Sequence, residues 1–305
     1  MRSEKKHEAQ IFAGLEWLGL IWDEGPVGKN QEVRSKEQGE YGPYRQSERT
    51  AIYKKYLEKL LAEKKAYYCY CSKEDLEAER QVLLAQGLPA KYSGHCRNLT
   101  SPPAGKNPNV IRFMTPETKV EFKDIIRGKV SFDAGLFGDI VIAKDLETPL
   151  YNFVVVVDDE EMKISHVIRG EDHISNTPKQ ILFQKALGFT EPEYAHLPLI
   201  LNPDRSKMSK RFADTAVLDY KDRGYAPEAM INFLALLGWH PTHDKEIFSL
   251  EELVKEFDLK RVQKGGAIFN QEKLDWLQKE HMKQVPTDEL VRRIEPLLRK
   301  EYHCY

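Results

Sequence analysis

Apolar residues recur with helical spacing near the start of the chain. Between residues 8 and 18 they share one helical face, and Gly19 stands where a left-handed residue would end the helix. A second amphipathic stretch, residues 52–61, predicts another helix, with Ser47 as its N-terminal cap. The chain is therefore expected to begin with two helices separated by a loop rich in Gly and Pro.

The pattern then changes to short alternating runs. From about residue 67 to residue 145, runs such as 110–114 and 139–143 are interrupted by Pro and Gly. Alternation with a period of two favours strands that are buried on one face. This part of the chain is predicted to be a small strand-rich insertion.

After the insertion, the pattern returns to an α/β order. The apolar run 151–157 predicts a buried strand and 163–168 a second strand, with Asp158 and Asp159 in the turn between them. A helix is then predicted over 177–187, because Pro suits a first helical turn and Gly188 suits a helix end.

Beyond Thr215 the chain reads as mostly helical. Residues 227–237 form one apolar helical stretch, Ser249 begins a capping box with Glu252, and Asn270 is placed to cap a further helix. Residues 286–299 have the spacing of another amphipathic helix.

Composition narrows the class of protein. The 305 residues are 41% hydrophobic, and 46 basic residues nearly balance 48 acidic ones, so any contact with RNA has to be local. Four cysteines are too few for a disulfide scaffold and suggest a reducing compartment. The longest apolar run, 153–157, is too short to cross a bilayer. We expect a cytoplasmic protein with no membrane contact.

The most informative motif follows the apolar residues 197–201. It reads Lys207-Met208-Ser209-Lys210-Arg211, a basic loop with one small hydroxyl residue. Such a loop can direct ammonium groups and a hydroxyl towards a triphosphate as charge develops on departing pyrophosphate. The tetrapeptide Lys-Met-Ser-Lys is expected by chance in about one chain per thousand of this length, so a merely solvated basic turn is the weaker interpretation.

This motif resembles the second signature of class I aminoacyl-tRNA synthetases. Segments 44–49, 151–159 and 166–178, with the pair Gly238-Trp239, are similar to segments of the glutamyl branch. The resemblance extends over nearly the whole chain. It implies an α/β fold, a doubly wound (Rossmann-type) catalytic core that lacks its first strand, with a small strand-rich insertion and a helical stem-contact region.

The resemblance also implies a two-step reaction. Glutamate would attack the α-phosphorus of ATP, supplied with Mg²⁺, and the glutamyl group would then pass to the 3′ end of tRNA. Residues that match the family's ATP site are Lys207, Met208, Ser209, Lys210, Arg211, Asp172 and His173, with Lys207, Ser209 and Lys210 in the catalytic role. Those that match its glutamate site are Tyr151 and Arg169. A structural ion pair of Arg169 with Glu171 or Asp172, and a core role for Tyr151, are the alternatives.

The family implies a domain division as well. Residues 1–64 and 145–214 would form the partial core, 65–144 the insertion, 215–284 the stem-contact region, and 285–305 the start of an anticodon-binding domain. The chain has no His-Ile-Gly-His motif, the first signature of this class, so we expect it to begin after that motif and to be inactive by itself. The intact enzyme would be a monomer.

Contacts with two further partners are predicted. Basic residues in the stem-contact region, namely Lys260, Arg261, Lys264 and Lys273, are candidates for tRNA phosphate contacts, a solvated helical surface being the alternative. Cys69, Cys71 and Cys96 with Tyr92 could bind zinc. Asn98 stands where a fourth ligand would be expected, so His95 remains an alternative to Tyr92, and buried free cysteines remain an alternative to zinc.

Three other functions are alternatives to a glutamate-tRNA ligase. A glutamyl-queuosine tRNA synthetase has a similar length, but it would end soon after the second signature. A glutaminyl-tRNA synthetase would continue with β structure instead of helices. A non-catalytic tRNA-binding fragment is compatible with the missing first signature.

Overall fold

The computed structural model describes residues 5–26, 37–208 and 216–302, and it is an α/β structure with mixed sheets. The helices are α1 (Lys5–Trp17), α2 (Thr50–Ala62), α3 (Lys73–Ala85), α4 (Tyr151–Glu161), α5 (Thr177–Leu187), α6 (Val217–Asp222), α7 (Pro227–Leu236), α8 (Leu250–Glu256), α9 (Gln271–Met282) and α10 (Thr287–Tyr302). The strands are β1 (Gly25–Pro26), β2 (Glu37–Gln38), β3 (Ala66–Cys69), β4 (Val110–Phe113), β5 (Lys119–Asp124), β6 (Gly128–Asp133), β7 (Ile140–Ala143), β8 (His166–Gly170), β9 (Glu193–Leu197), β10 (Ile200–Leu201) and β11 (Ala267–Ile268).

The described residues divide into two compact units. The sheet unit contains residues 24–26 and 37–196, and the helical unit contains 5–23, 197–208 and 216–302. None of the helices in the described parts of the chain combines the length and apolar character that crossing a bilayer requires.

Two sheets with helices packed against them organise the sheet unit. One sheet has the strand order β6-β5-β9-β8 and the other the order β3-β4-β7. β5 pairs antiparallel with β6 and parallel with β9, where Asp124 lies opposite Tyr194. The core lies among α2, α4 and α5, with Leu57, Phe153 and Phe183 fully buried. This arrangement brings the ends of β5, β8 and β9 close to the start of α5.

The predicted strand over 151–157 is wrong, because these residues form most of α4. Phe153, Val154, Val156 and Val157 are all buried, and a run that is apolar on every side looks alike in a buried helix and a buried strand. The predicted turn at Asp158 and Asp159 is wrong for the same reason, since both residues lie in the last turns of α4. The second predicted strand is present but shifted, as β8.

Other local predictions have mixed outcomes. The helix over 177–187 is confirmed, with Pro178 in its first turn and Gly188 left-handed at φ 75°. Ser47 does not cap α2, because it lies in a 3-10 turn and Arg49 precedes the helix without a side-chain cap. The sequence pattern did not predict α3, although Ser72 caps it through a capping box.

The helical unit confirms most of its predicted elements. Ser249 forms the expected capping box with Glu252 at α8, and the Asn270 side chain accepts from the Lys273 backbone N–H at the start of α9. α7 packs against α9. β10 pairs in parallel with β11, the only strand pair of the helical unit's described residues.

Candidate functional site

The start of the basic signature loop is held by a tight turn. The Asn202 side chain donates to Ser206 Oγ at 2.9 Å, and Lys207 lies opposite Leu201 as an isolated bridge. The Met208 N–H also donates to the Ile200 carbonyl at 3.0 Å. Lys207 is thus anchored at the edge of β10 with an exposed side chain. The predicted site residues Ser209, Lys210 and Arg211 lie outside the described residues.

Arg169, on β8, makes hydrogen bonds with neutral side chains. Its Nε donates to His196 Nε2 at 3.3 Å, and its Nη2 donates to Thr177 Oγ1 at 2.8 Å and to Gln180 Oε1 at 2.7 Å. The alternative of an ion pair with Glu171 or Asp172 is not what the described residues contain, since neither forms a salt bridge with Arg169 and the Glu171 carboxylate pairs with Arg127. The charge of Arg169 is therefore not neutralised by a salt bridge with a described residue.

The acceptor for Arg169 belongs to a buried Asp–His pair. His196 Nδ1 lies 2.6 Å from Asp124 Oδ2, and both side chains are fully buried. Burial lowers the pKa of His196, and the nearby Arg169 and Arg127 lower it further, which outweighs the attraction of Asp124. Burial alone would raise the pKa of Asp124, but hydrogen bonds from the Arg127 and Ile126 backbone and from His196 lower it. The pair is therefore a carboxylate beside a neutral imidazole.

Tyr151 and His173 lie together at one end of α4. The Tyr151 hydroxyl is 3.4 Å from His173 Nδ1, and Asn176 Nδ2 is 3.3 Å from the same nitrogen. Tyr151 is 48% exposed, so the alternative that it belongs to the core is not what the structure contains. Asp172 and His173 lie in a 3-10 turn directly after β8. Two residues predicted for different ligands, Tyr151 and His173, are thus in contact.

Two adjacent carboxylates on α4 have different surroundings. Asp158 is buried and accepts from Arg49 Nε at 2.7 Å and from the Tyr53 hydroxyl at 2.8 Å. Asp159 has no side-chain hydrogen bond to a described residue. Burial raises the pKa of Asp159 to about 6, with Asp158 adding to the effect and Arg169 opposing it. Asp158 is a structural anchor for α2, whereas Asp159 contributes negative charge near Arg169.

Three thiols come together in the insertion. The Sγ atoms of Cys69, Cys71 and Cys96 all lie within 4.8 Å of one another. The Tyr92 hydroxyl lies 3.5 Å from the Cys69 sulfur and 3.6 Å from that of Cys71. His95 is exposed and is not part of this cluster. The geometry thus favours Tyr92 over His95 as a companion of the thiols.

Electrostatics at this cluster suit a bound cation. Burial would raise the pKa of Cys69, but hydrogen bonds with Tyr92 and Arg112 lower it. Burial raises the pKa of Cys71 to about 12, and the neighbouring sulfurs add to that effect. Thiolates so close together would repel one another, and a divalent cation would relieve that repulsion and favour their deprotonation.

The four basic residues that were predicted to contact tRNA fall into two groups. Arg261 lies over the Trp239 ring at 4.9 Å and donates to the Glu256 carbonyl. Lys273 lies over Trp276 at 4.1 Å and pairs with Glu246 at 2.6 Å. The exposed side chains of Lys260 and Lys264 make no ion pair with a described residue. Of these four predicted residues, Lys260 and Lys264 are the two whose side chains have no ion pair or cation–π contact with a described residue.

Sequence reasoning missed the residues around Arg169. Asp124, Thr177, Gln180 and His196 lie on β5, α5 and β9, far apart along the chain. The one available signal was a His and an Asp in otherwise apolar buried segments, where an ionisable residue needs a partner. That signal does not identify the partner.

The chain is similar to known tRNA synthetases. Residues 1–276 match the family model described as tRNA synthetases class I (E and Q), catalytic domain. The chain is 49% identical over 301 residues to a glutamate–tRNA ligase of Sulfurihydrogenibium sp., covering 97% of this chain and 61% of the relative. It is 50% identical over 303 residues to glutamate–tRNA ligase 1 of Caldicellulosiruptor saccharolyticus, covering 97% and 60%.

The fold of the chain is also similar to that of solved glutamate tRNA ligase structures. The crystal structure of a glutamate tRNA ligase from Elizabethkingia meningosepticum in complex with its amino acid has a TM-score of 0.83 and 35% identity, covering 98% of this chain and 64% of that one. The chain spans about 61% of the length of the curated relative from Sulfurihydrogenibium. By its match over residues 1–276, the chain belongs to the class I tRNA synthetase family of the glutamate and glutamine enzymes.

Proposed function

We propose that this chain contributes the glutamate-binding part of a glutamate–tRNA ligase that acts in translation in the cytoplasm. The observation that carries the proposal is the guanidinium of Arg169, which is held by three neutral partners and forms no salt bridge with a described residue. A guanidinium that forms no salt bridge with a described residue is well suited to bind a carboxylate. The names of the relatives support glutamate as the carboxylate.

The proposed reaction has two steps. A carboxylate oxygen of glutamate attacks the α-phosphorus of ATP, a P–O bond forms, and the bond to pyrophosphate breaks. A ribose hydroxyl of tRNA then attacks the activated carbonyl, loses its proton and releases AMP. Lys207, Ser209 and Lys210 would stabilise charge on the departing pyrophosphate, with Met208 and Arg211 beside them. Mg²⁺ would arrive with the nucleotide and neutralise part of the triphosphate charge.

Within the sheet unit, Tyr151 and Arg169 would hold glutamate, and Asp172 and His173 would line the ATP side. The contact of Tyr151 with His173 supports this assignment, because it brings a residue from each proposed group together. The Tyr151 hydroxyl can donate to a carboxylate and stay in contact with the imidazole.

Calorimetry with glutamate, glutamine and ATP tests the proposal. The titrations use the 305-residue chain and the same chain joined to an N-terminal segment from a class I synthetase that carries the His-Ile-Gly-His motif. We expect glutamate to bind more tightly than glutamine. Arg169→Lys keeps the charge but removes the fork of donors, so glutamate affinity should fall about 10- to 100-fold while ATP affinity is unchanged.

Lys119→Ala is the matched control, because Lys119 is an exposed cation that pairs with Glu121. It should change neither affinity. Absence of glutamate binding in both forms of the protein would contradict the proposed function. Glutamate-dependent exchange of pyrophosphate into ATP by the extended chain would support the full activation step.

Zinc is part of the proposal. Cys69, Cys71 and Cys96, with Tyr92 as the fourth group, would hold the ion, which would join the end of β3 to the loop that carries Cys96. The thiol-rich donor set fits zinc, and the crowding of the sulfurs supports a cation at this position.

Metal analysis of protein purified without chelator should give about one zinc per chain. Cys96→Ser should lose the metal, whereas His95→Ala should retain it, because His95 lies outside the cluster. Tyr92→Phe tests the fourth ligand and should lower zinc affinity. Zinc content far below one per chain would leave the three residues as free cysteines, two of them buried.

Other functions are less well supported. The helices α7–α10 continue well past the second signature, which disfavours a glutamyl-queuosine tRNA synthetase. Continuation with helices also disfavours a glutaminyl enzyme. If the chain were a fragment that only binds tRNA, the calorimetry described above would detect no glutamate binding.

A further inference from the structure

We propose that Asp124, His196 and Thr177 act together to position Arg169, so that only its Nη1 end is available to the carboxylate of the amino acid. This inference rests on the proposed function for the identity of the ligand. The arrangement of hydrogen bonds within the sheet unit carries it independently of that identity. The three residues do not need to touch the substrate, and their proposed role is to position a residue that does.

The first step of the argument concerns the orientation of the Asp124 carboxylate. Its Oδ1 accepts from the backbone N–H groups of Ile126 at 3.0 Å and Arg127 at 2.8 Å. Its Oδ2 accepts from the His196 backbone N–H at 3.1 Å and lies 2.6 Å from His196 Nδ1. A carboxylate can only accept, so His196 Nδ1 must carry a proton.

The second step fixes the other nitrogen of the ring. With Nδ1 protonated and the imidazole neutral, His196 Nε2 is an acceptor. Arg169 Nε donates to it at 3.3 Å, and the Thr177 hydroxyl lies 3.0 Å from it. Thr177 Oγ1 also accepts from Arg169 Nη2, so its own proton is free to go to His196. The buried carboxylate thereby determines which hydrogen bonds Arg169 can make.

The third step concerns the remaining donors of Arg169. Nη2 uses its two protons on Thr177 and Gln180, and Nε uses its proton on His196. Nη1 has no acceptor within the described residues, and it is not among the buried atoms that lack a partner. A carboxylate that approaches Arg169 can therefore reach Nη1 without displacing an internal hydrogen bond.

Gln180 is locked in turn, because its amide nitrogen donates to Asn152 Oδ1 at 3.0 Å. Its carbonyl oxygen is consequently the atom that faces Arg169. A guanidinium fixed at three donors loses little conformational freedom when a ligand binds, which favours affinity and a single ligand position.

Asp124→Asn tests this chain of hydrogen bonds. Two backbone N–H groups, of Ile126 and Arg127, need an oxygen at the Oδ1 position, and only one, of His196, needs an oxygen at the Oδ2 position. We therefore expect the new amide NH₂ to replace Oδ2 and to face His196 Nδ1. The imidazole then has to carry its proton on Nε2. Two N–H groups, of His196 Nε2 and Arg169 Nε, would face each other, and the hydrogen bond between them would be lost. We expect a change of tautomer at His196 and a loss of glutamate affinity of about tenfold or more, with ATP affinity unchanged.

The His196 tautomer and the glutamate affinity are measured in separate experiments. Long-range ¹H–¹⁵N correlation spectra of histidine-labelled protein report the tautomer, and the Arg169 Nε–H signal reports its hydrogen bond, both without glutamate. Glutamate affinity is measured by calorimetry as above. A wild-type protein that fails to bind glutamate would contradict the proposed function, while the spectra would still decide whether His196 orders Arg169.

A second pair of variants covers the case in which Asp124→Asn does not fold. Thr177→Ser keeps the hydroxyl and should preserve glutamate affinity, whereas Thr177→Val removes it at nearly the same volume and should weaken binding several-fold. An unchanged His196 tautomer in Asp124→Asn would overturn the proposal. So would a changed tautomer with unchanged glutamate affinity, or equal affinities for the Ser and Val variants.

Discussion

A neighbouring pair of acidic residues on α4 illustrates how much a single residue depends on its surroundings. Asp158 is buried, but its charge is matched by Arg49, whose side chain is 1% exposed. Asp159 is half-buried, and its carboxylate lacks a hydrogen bond to any described residue, so its charged form is disfavoured. Burial alone is therefore a poor guide to whether a carboxylate stabilises the fold.

We predict that Asp159→Asn stabilises the protein at neutral pH. Because burial raises the pKa of Asp159 to about 6, the folded state binds more protons than the unfolded state between about pH 4 and 6. This carboxyl group therefore lowers the free energy of unfolding as the pH rises through that window. We expect the variant to gain about 1–2 kcal/mol at pH 7.5, a value reduced for partial solvent screening.

Urea unfolding at pH 7.5 and at pH 4 measures this effect. The gain should disappear near pH 4, where Asp159 is protonated in the folded state and close to its unfolded pKa. Asp244→Asn is the control, because Asp244 is exposed, and it should change stability little at either pH. An equal gain at both pH values would contradict an origin in the buried charge.

At the scale of secondary structure, glycine has opposite effects in the middle and at the end of a helix. Gly188 ends α5 with φ 75°, a conformation that is strained for residues with a Cβ. Gly14 lies within α1, where a Cβ would meet no atom within 4 Å. Replacing each glycine with alanine therefore tests two separate contributions to the free energy of unfolding. These are backbone strain at Gly188 and helix propensity at Gly14.

We predict that Gly188→Ala destabilises the protein by about 1 kcal/mol, although a Cβ would again meet no atom within 4 Å there. Gly14→Ala should stabilise it by about 0.5–1 kcal/mol, because alanine loses less backbone entropy in a helix. Thermal unfolding of both variants measures the two effects. If both variants shift the unfolding temperature in the same direction, packing and not backbone conformation determines the sign of one of the two shifts.

At the scale of the whole molecule, charge is close to balanced, with a formal net charge of −2. Long-range attraction of RNA by the whole protein is therefore weak, and contacts have to be made by local groups. Of the four proposed tRNA contacts, Arg261 and Lys273 are already engaged with aromatic and carbonyl or carboxylate partners. Lys260 and Lys264 are the stronger candidates.

We predict that Lys260→Ala together with Lys264→Ala weakens tRNA binding and flattens its salt dependence. Two lost phosphate contacts should reduce the slope of log K against log salt by about 1.5. Filter binding between 50 and 200 mM salt would measure this slope. An unchanged slope would remove both lysines from the interface.

The matched control is Lys245→Ala together with Lys283→Ala. These lysines pair with Glu252 and Glu280, and their removal changes the net charge by the same amount. We expect the control to keep the slope of the wild type. A similar loss in both double variants would indicate a general electrostatic effect.

Several predictions from sequence alone are confirmed where the determining interaction is local, although the Ser47 cap is wrong and the Ser72 cap was not predicted. The caps at Ser249 and Asn270 and the end of α5 at Gly188 depend on backbone groups within a few residues, and all three are confirmed. The protein family could also be predicted from the sequence, because the motif at Lys207–Arg211 and each of the similar segments are contiguous stretches of the chain.

Only the tertiary structure decided the rest. The run 151–157 is a helix because α2, α5 and β7 surround it, and an apolar run carries no periodicity from which to choose between helix and strand. Asp124, Thr177 and His196 meet Arg169 because β5, β8, β9 and α5 converge, although Asp124 and His196 are 72 positions apart. A sequence specifies which groups are polar and where its helices end, whereas the partners of buried polar groups are determined by packing between distant segments.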